Sequence, residues 1–116
     1  MVQSYRDLKV WQRAVQMTVA LYKLTASFPT NEMYGLTSQL RRAGVSTASN
    51  IAEGWGRSTT GEYKQFLGMA RGSNFEVQTQ LVIAQELKFG TEKELQAAES
   101  LSHEVGKMLV TMLNKI

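Results

Sequence analysis

The sequence predicts an all-α fold, an antiparallel up-down-up-down four-helix bundle in a single domain. Three observations predict it. Apolar residues recur at steps of three and four through most of the chain, and no strand-like alternation persists. The single proline, Pro29, and glycines at Gly54, Gly56 and Gly90 cut the periodic stretches into four. Thr59 with Glu62, and Thr91 with Glu94, have the spacing of a capping box, in which each side chain satisfies the other residue's free amide.

Taken in order, the pattern predicts helices over about 5–27, 32–54, 60–89 and 92–115, together one domain over 1–116. Ser4 and Asp7 supply a cap and a first-turn acid, and Pro29 ends the first helix by excluding the α region from the residue before it. Its expected stripe is Leu8, Trp11, Val15, Thr18, Tyr22 and Thr25, widened by Ala14, Leu21 and Phe28. The second stripe is Met33, Leu36, Leu40, Ala43, Gly44, Thr47, Ala48 and Ile51, stopped by Gly54-Trp55-Gly56, where glycine offers a left-handed residue. The third runs Tyr63, Phe66, Leu67, Ala70, Val77, Leu81 and Ala84 and is closed by Gly90. The fourth runs Leu95, Ala98, Leu101, Val105, Met108, Leu109 and Met112. Helices of about 20–28 residues with short turns pack as a bundle about 30–40 Å long.

With 116 residues, one core forms without disulfides or a structural metal. Cysteine is absent, which removes thiolate chemistry and sulfur-based zinc sites. No signal-peptide pattern and no long apolar run is present, so a soluble, cytoplasmic protein without a membrane partner is expected. The formal charge is +3, and the excess lies early: residues 1–28 carry Arg6, Lys9, Arg13 and Lys23 against Asp7 alone. A polyanion would meet that half of the chain.

A monomeric bundle helix needs one apolar stripe and a polar back. The fourth helix obeys, with Glu92, Gln96, Glu99, His103 and Lys107 on its outer face. The first is apolar around about half its circumference, since Val10, Met17 and Leu24 extend its stripe. Val82, Ile83, Leu87 and Phe89 make the third apolar nearly all round at its end. Gly68 and Gly72, with Phe75 beside them, permit close backbone approach at a cost of about 1 kcal/mol per glycine. The second helix presents a small polar face including Gln39, Arg42, Ser46, Ser49 and Asn50. These faces either pack inside the monomer or make a homo-oligomer, the expectation taken here. Its interface would use Ser46, Ser49, Asn50, Gly68, Gly72 and Phe75.

No constellation of residues carries catalysis, so no enzyme activity and no cofactor is expected. Gly56 to Gly61 resembles half of a phosphate loop, but Glu62-Tyr63 stands where Lys and Ser/Thr are required, and no strand precedes it. His103 is the only histidine and lies on a charged face, no Glu-x-x-His pair exists for a di-iron site, and Glu53 has no second acid. The basic residues are better candidates. Lys9, Arg13 and Lys23 share a face, Arg41 and Arg42 are adjacent, and Arg57 precedes the third helix. Cations so spaced contact phosphates of RNA or DNA, or else are ordinary solvated helix faces.

Several strings then resemble a family. They are Tyr5-Arg6-Asp7-Leu8-Lys9-Val10-Trp11, Phe28-Pro29 with Glu32, Tyr34-Gly35-Leu36, Ser38-Gln39-Leu40-Arg41-Arg42-Ala43 and Ser49-Asn50-Ile51-Ala52-Glu53-Gly54. Gly56-Arg57, Phe66-Leu67, Ala70-Arg71-Gly72-Ser73 and Glu76 continue the match. The chain resembles bacterial four-helix bundle proteins first noticed as reading frames inside intervening sequences of 23S ribosomal RNA genes. Thr47-Ala48 and Trp55 depart slightly from the usual pattern. The resemblance implies a ring-like homopentamer. Distant similarity to accessory proteins of diversity-generating retroelements implies nucleic-acid binding and a second protein as partner. Two functions follow as expectations, a non-catalytic oligomer that binds RNA or DNA through a basic surface, or a protein-binding scaffold with no nucleic-acid role.

Overall fold

A computed structural model describes residues 2–116. Four α-helices and no strand are found among them: α1 Lys9–Thr25, α2 Leu36–Trp55, α3 Thr60–Glu86 and α4 Glu92–Lys115. They form a rod of 43 × 23 × 21 Å. Each helix packs on its neighbours in sequence, α1 on α2, α2 on α3 and α3 on α4, and α1 also packs on α4 to close the circuit.

The boundaries differ from the sequence expectation at three places, each with a local cause. The first helix begins at Lys9 rather than about residue 5, because Leu8 is extended (φ −74°, ψ 122°) and Tyr5–Asp7 forms a separate 3-10 turn. Ser4 and Asp7 cap that turn: the Asp7 carboxylate accepts from the Gln3 and Ser4 amides, and Ser4 Oγ accepts from the Arg6 amide. The second helix begins at Leu36 rather than about residue 32, after a 3-10 turn at Thr30–Glu32. Glu32 Oε1 then accepts from the Leu36 amide, so the acid caps α2 from outside it.

The third helix ends at Glu86, and the residue that closes it is Lys88 rather than Gly90. Lys88 takes the left-handed conformation (φ 59°), while the Phe89 amide donates to the Ala84 carbonyl and the Lys88 amide to that of Gln85. This is a Schellman closure made without glycine. Gly90 is needed for space: a Cβ there would stand 2.5 Å from Leu24 Cδ1. Gly56 likewise is not left-handed (φ −80°), so it does not stop α2 in the expected way. The tight glycine is Gly54, where a Cβ would meet Phe66 Cβ at 3.0 Å and Tyr63 Cδ1 at 3.1 Å.

The stripe of α1 is rotated relative to expectation. Val10, Ala14, Met17, Leu21 and Leu24 are the buried row, with Thr25 and Phe28 beyond them. Trp11, Val15 and Thr18 are half-buried and Tyr22 is exposed. The apolar arc is wide enough for either row to face inward. The aliphatic row takes the centre, and the row bearing Thr18 and Tyr22 hydroxyls is left at the edge, where those groups reach water or a carbonyl. Thr18 Oγ1 donates to the Ala14 carbonyl in that position.

The core has two apolar layers. One gathers Met17, Leu21, Leu24, Phe28, Leu36, Leu40, Ala43, Val77, Leu81, Ala84 and Ala98. The other gathers Val10, Ala14, Ile51, Leu67, Ala70, Val105 and Leu109. On α3 the interval between the layers is occupied by Ser73 and Asn74, both buried. Asn74 Nδ2 donates to the Ser102 carbonyl at 2.9 Å, and Ser102 Oγ donates to Asn74 Oδ1 at 2.8 Å. Because both partners are wholly inaccessible, this reciprocal pair is the means by which an amide tolerates the interior.

Candidate nucleic-acid interface

The structure separates the six cations singled out in the sequence. Arg13 turns toward α4, where its Nε donates to Glu104 Oε1 at 2.6 Å; this is the one ion pair among the described residues. Lys9 is exposed beside Lys107, Met108 and Met112, also on the α1–α4 side. Lys23 is exposed near the end of α1. Arg57 lies past the far end of α2, with its guanidinium 4.4 Å from the centroid of Phe66. Only Arg41 and Arg42 line one concavity together.

That concavity is a groove of about 520 Å³ on the α1–α2 side, lined by Tyr22, Met33, Tyr34, Ser38, Arg41 and Arg42 among others. Arg41 reaches it because the residue stands one turn past Thr37, at the edge of α2 nearest α1. Its Nε donates to Thr25 Oγ1 at 2.9 Å, and its guanidinium lies 4.6 Å from the centroid of the Tyr22 ring. Buried Thr25 thus fixes the stem, and the ring fixes the plane, of a half-buried cation whose Nη atoms have no hydrogen-bond partner among the described residues. No aspartate or glutamate lines the groove. Two tyrosines the sequence reading did not nominate belong here. Tyr22 is 45% exposed, and Tyr34, on the turn before α2, is 98% exposed. Tyr22 has the spacing of the α1 stripe, which predicts a core position that the structure does not give it. Tyr34 falls inside the helix expected over about 32–54, and only the later start of α2 at Leu36 places it on a turn.

The small polar residues of α2 fall on both edges of that helix. Ser46 faces α3, bonded to Ser73 Oγ at 2.8 Å and receiving Asn50 Nδ2 at 3.0 Å. A second concavity beside it is lined by Gln39, Arg42, Glu76 and Gln80, and buried Gln80 Oε1 has no partner among the described residues. Ser49 instead lines a shallow apolar groove between α1 and α2 with Trp11, Val15, Val19, Val45, Ala48 and Ala52. Gly68, Gly72 and Phe75 lie together on the open side of α3. A Cβ at either glycine would meet nothing within 4 Å, so neither is required by packing inside the chain. Within the chain the close approaches are at Gly44, where a Cβ would stand 2.8 Å from Leu21 Cδ1, and at Gly54 and Gly90.

Among the titratable side chains Tyr63 is shifted: burial beside Gly54 holds its hydroxyl above the ordinary 10.0. Among the described residues no three His, Asp or Glu side chains group as metal ligands would. No helix is long and apolar enough to cross a membrane.

The comparisons with known proteins agree with this architecture. A solved structure from Bacteroides thetaiotaomicron VPI-5482, a protein of unknown function from the S23 ribosomal protein family, superposes with a TM-score of 0.78 at 20% identity. The match covers 90% of this chain and 97% of that one, and at this identity it speaks to the fold alone. No curated protein matches. The family model described as 23S rRNA-intervening sequence protein matches residues 6–111. The chain therefore belongs to the 23S rRNA-intervening sequence protein family.

Proposed function

We propose that this chain is the protomer of a non-catalytic, cytoplasmic homo-oligomeric ring, a pentamer, that binds RNA or DNA through its basic α1–α2 flank. Within the protomer the helices run up-down-up-down. Pairs such as Gln39 with Gln80, Ser46 with Ser73, and Gly54 with Phe66 and Tyr63 descend along α3 as they ascend along α2, which supports the antiparallel run. The observation that carries the nucleic-acid reading is that Arg41 and Arg42, neither of them ion-paired, share a groove whose lining holds no carboxylate, Glu76 standing in the neighbouring concavity. A ring would multiply the monomer's +3 around its circumference.

Assembly is supported by the outer side of α3. Gly68, Gly72, Phe75, Thr79 and Val82 follow alternating steps of four and three, the spacing of a helix-packing seam, and all are exposed. A ring needs two different faces that meet head to tail. The shallow Trp11–Val15–Val19–Val45–Ala48–Ser49 groove supplies the second, so the α3 ridge of one copy packs against α1 and α2 of the next.

Native mass spectrometry of protein purified without nuclease tests both halves. The expected spectrum contains five copies with co-purifying nucleic acid, and Phe75→Glu with Val82→Glu reduces it to monomers. A monomer at micromolar concentration overturns the ring. Nucleic-acid binding is expected to weaken steeply with salt and to be lost in the combined Arg41→Glu, Arg42→Glu variant. Binding that survives that variant overturns the basic-surface reading. The exposed apolar groove on α1 and α2 favours a second reading, a scaffold for another protein. A partner retained after nuclease treatment, with no bound nucleic acid, would decide for it.

A further inference from the structure

We propose that the groove bounded by Tyr22, Tyr34, Arg41 and Arg42 is a subsite for single-stranded nucleic acid, in which Tyr34 stacks on an unpaired base while the two arginines hold the adjoining phosphates. The inference rests on the nucleic-acid reading above and adds which strand form is bound and by which residues.

Four features converge on it. First, Tyr34 projects almost its whole ring into water, 98% exposed, although it follows a 3-10 turn and precedes a well-formed helix. Folding gains nothing from an aromatic ring in that position, whereas stacking on a base needs both ring faces accessible. Second, Arg41 is already organised. Thr25 Oγ1 holds its Nε and Tyr22 lies under its guanidinium, so little further freedom is lost when the Nη atoms take up a phosphate. Third, Arg42 is exposed on the next residue of α2, with no carboxylate within ion-pairing distance. Successive residues on a helix point about 100° apart, so Arg41 and Arg42 reach different points along a strand. Fourth, the remaining lining is sized and polarised for a strand. Met33, Val45 and the Tyr22 edge are apolar, and the Ser38 hydroxyl donates or accepts at the margin. At about 520 Å³ the groove has room for about one or two nucleotides.

Strand form follows from the chemistry. In a duplex the base faces are occupied by their neighbours, and a protruding tyrosine has no face to stack on. An unpaired base offers its face at once, and stacking of this kind tolerates any sequence. The site therefore discriminates single strand from duplex more than one base from another. The other basic residues differ in kind: Lys9 and Lys23 offer charge alone, Arg13 is held by Glu104, and Arg57 covers Phe66.

The test is fluorescence anisotropy of the intact protein with a labelled oligouridine of about ten nucleotides, and with a duplex of the same length, at low salt. Tyr34→Ala is expected to weaken oligouridine binding about tenfold or more and to leave duplex binding unchanged. Tyr34→Phe is expected to keep the affinity, because the ring acts and not the hydroxyl. Arg42→Gln should lower the salt slope of single-strand binding by roughly one counterion. Tyr34 lies in solvent, so loss of fold does not confound the variants. If oligouridine binds and Tyr34→Ala changes nothing, or weakens both ligands equally, the stacking subsite is overturned while nucleic-acid binding stands. If neither ligand binds at low salt, both readings fall.

Discussion

Helices α3 and α4 invite comparison because they are similar in length and share one interior. Leu67, Ala70, Val77, Leu81 and Ala84 of α3 meet Ala98, Val105 and Leu109 of α4 in the same two apolar layers. Their backs differ. The outer face of α4 is Glu92, Gln96, Glu99, His103 and Lys107, all exposed, the surface expected of a helix whose far side meets only water. The outer face of α3 is Gly68, Met69, Gly72, Phe75, Val82 and Ile83, also all exposed. Inward packing is equally well met by both, so the interior cannot be the reason for α3's second stripe. Glycine in an open helical position is costly, and a row of exposed apolar side chains is costly to solubility. Their coincidence on one face points outward.

The inward equivalence can be broken first, with the largest effect. Leu67→Ala and Leu109→Ala should each destabilise the protein by about 2–5 kcal/mol in urea denaturation, since both side chains are fully buried. Asn74→Ala comes next. It leaves Ser102 Oγ without its acceptor and should cost about 1–3 kcal/mol. Adding Ser102→Ala should cost less than the two single losses together, and strict additivity in that cycle would refute the coupling.

The outward difference predicts an effect of opposite sign. Gly68→Ala and Gly72→Ala should each stabilise the isolated monomer by about 0.5–1 kcal/mol, because space for the methyl is open. The same pair should loosen the proposed self-association, and thermal melts at high and low concentration would separate the two effects. The smallest effect concerns the link from α4 to α1. Arg13→Ala with Glu104→Ala should show a coupling of about 0.2–1 kcal/mol, shrinking in high salt, because both side chains are partly solvated.

The comparison also explains what was legible in the sequence. Most buried apolar positions of α2, α3 and α4 could be read from spacing, but Met33, expected in the α2 stripe, is exposed on the turn before that helix, and buried Thr37, Ser73, Asn74, Gln80 and Ser102 carry no apolar signal. On α1 the arc was too wide for spacing to choose a row. Neighbouring helices chose Val10, Ala14, Met17, Leu21 and Leu24, and left Trp11, Val15 and Tyr22 at the groove. Glycines misled for a related reason. Gly56 and Gly90 look like helix stops, yet Lys88 closes α3, and Gly90 gives way to Leu24, a residue 66 positions earlier that local spacing cannot reveal. The cations were legible as residues but not as a surface. Whether Arg13 is free depends on Glu104, across the bundle, and whether Arg41 is organised depends on Thr25 and Tyr22. Tyr34 is legible only as part of the Tyr34-Gly35-Leu36 string and not as a site residue, because an exposed aromatic on a turn has no periodicity to mark it.

The buried Asn74–Ser102 pair has a consequence for geometry at a distance. Apolar layers are tolerant of sliding, since one leucine contact can replace another after a one-turn shift of about 5.4 Å. A reciprocal amide–hydroxyl pair is not, because any such slip would strand two polar groups in hydrocarbon. The pair therefore acts as an axial index between α3 and α4. It sets the height at which Gly68, Gly72 and Phe75 emerge relative to the rest of the rod, so a contact hidden in the centre of one chain fixes where the proposed interface would meet a second copy.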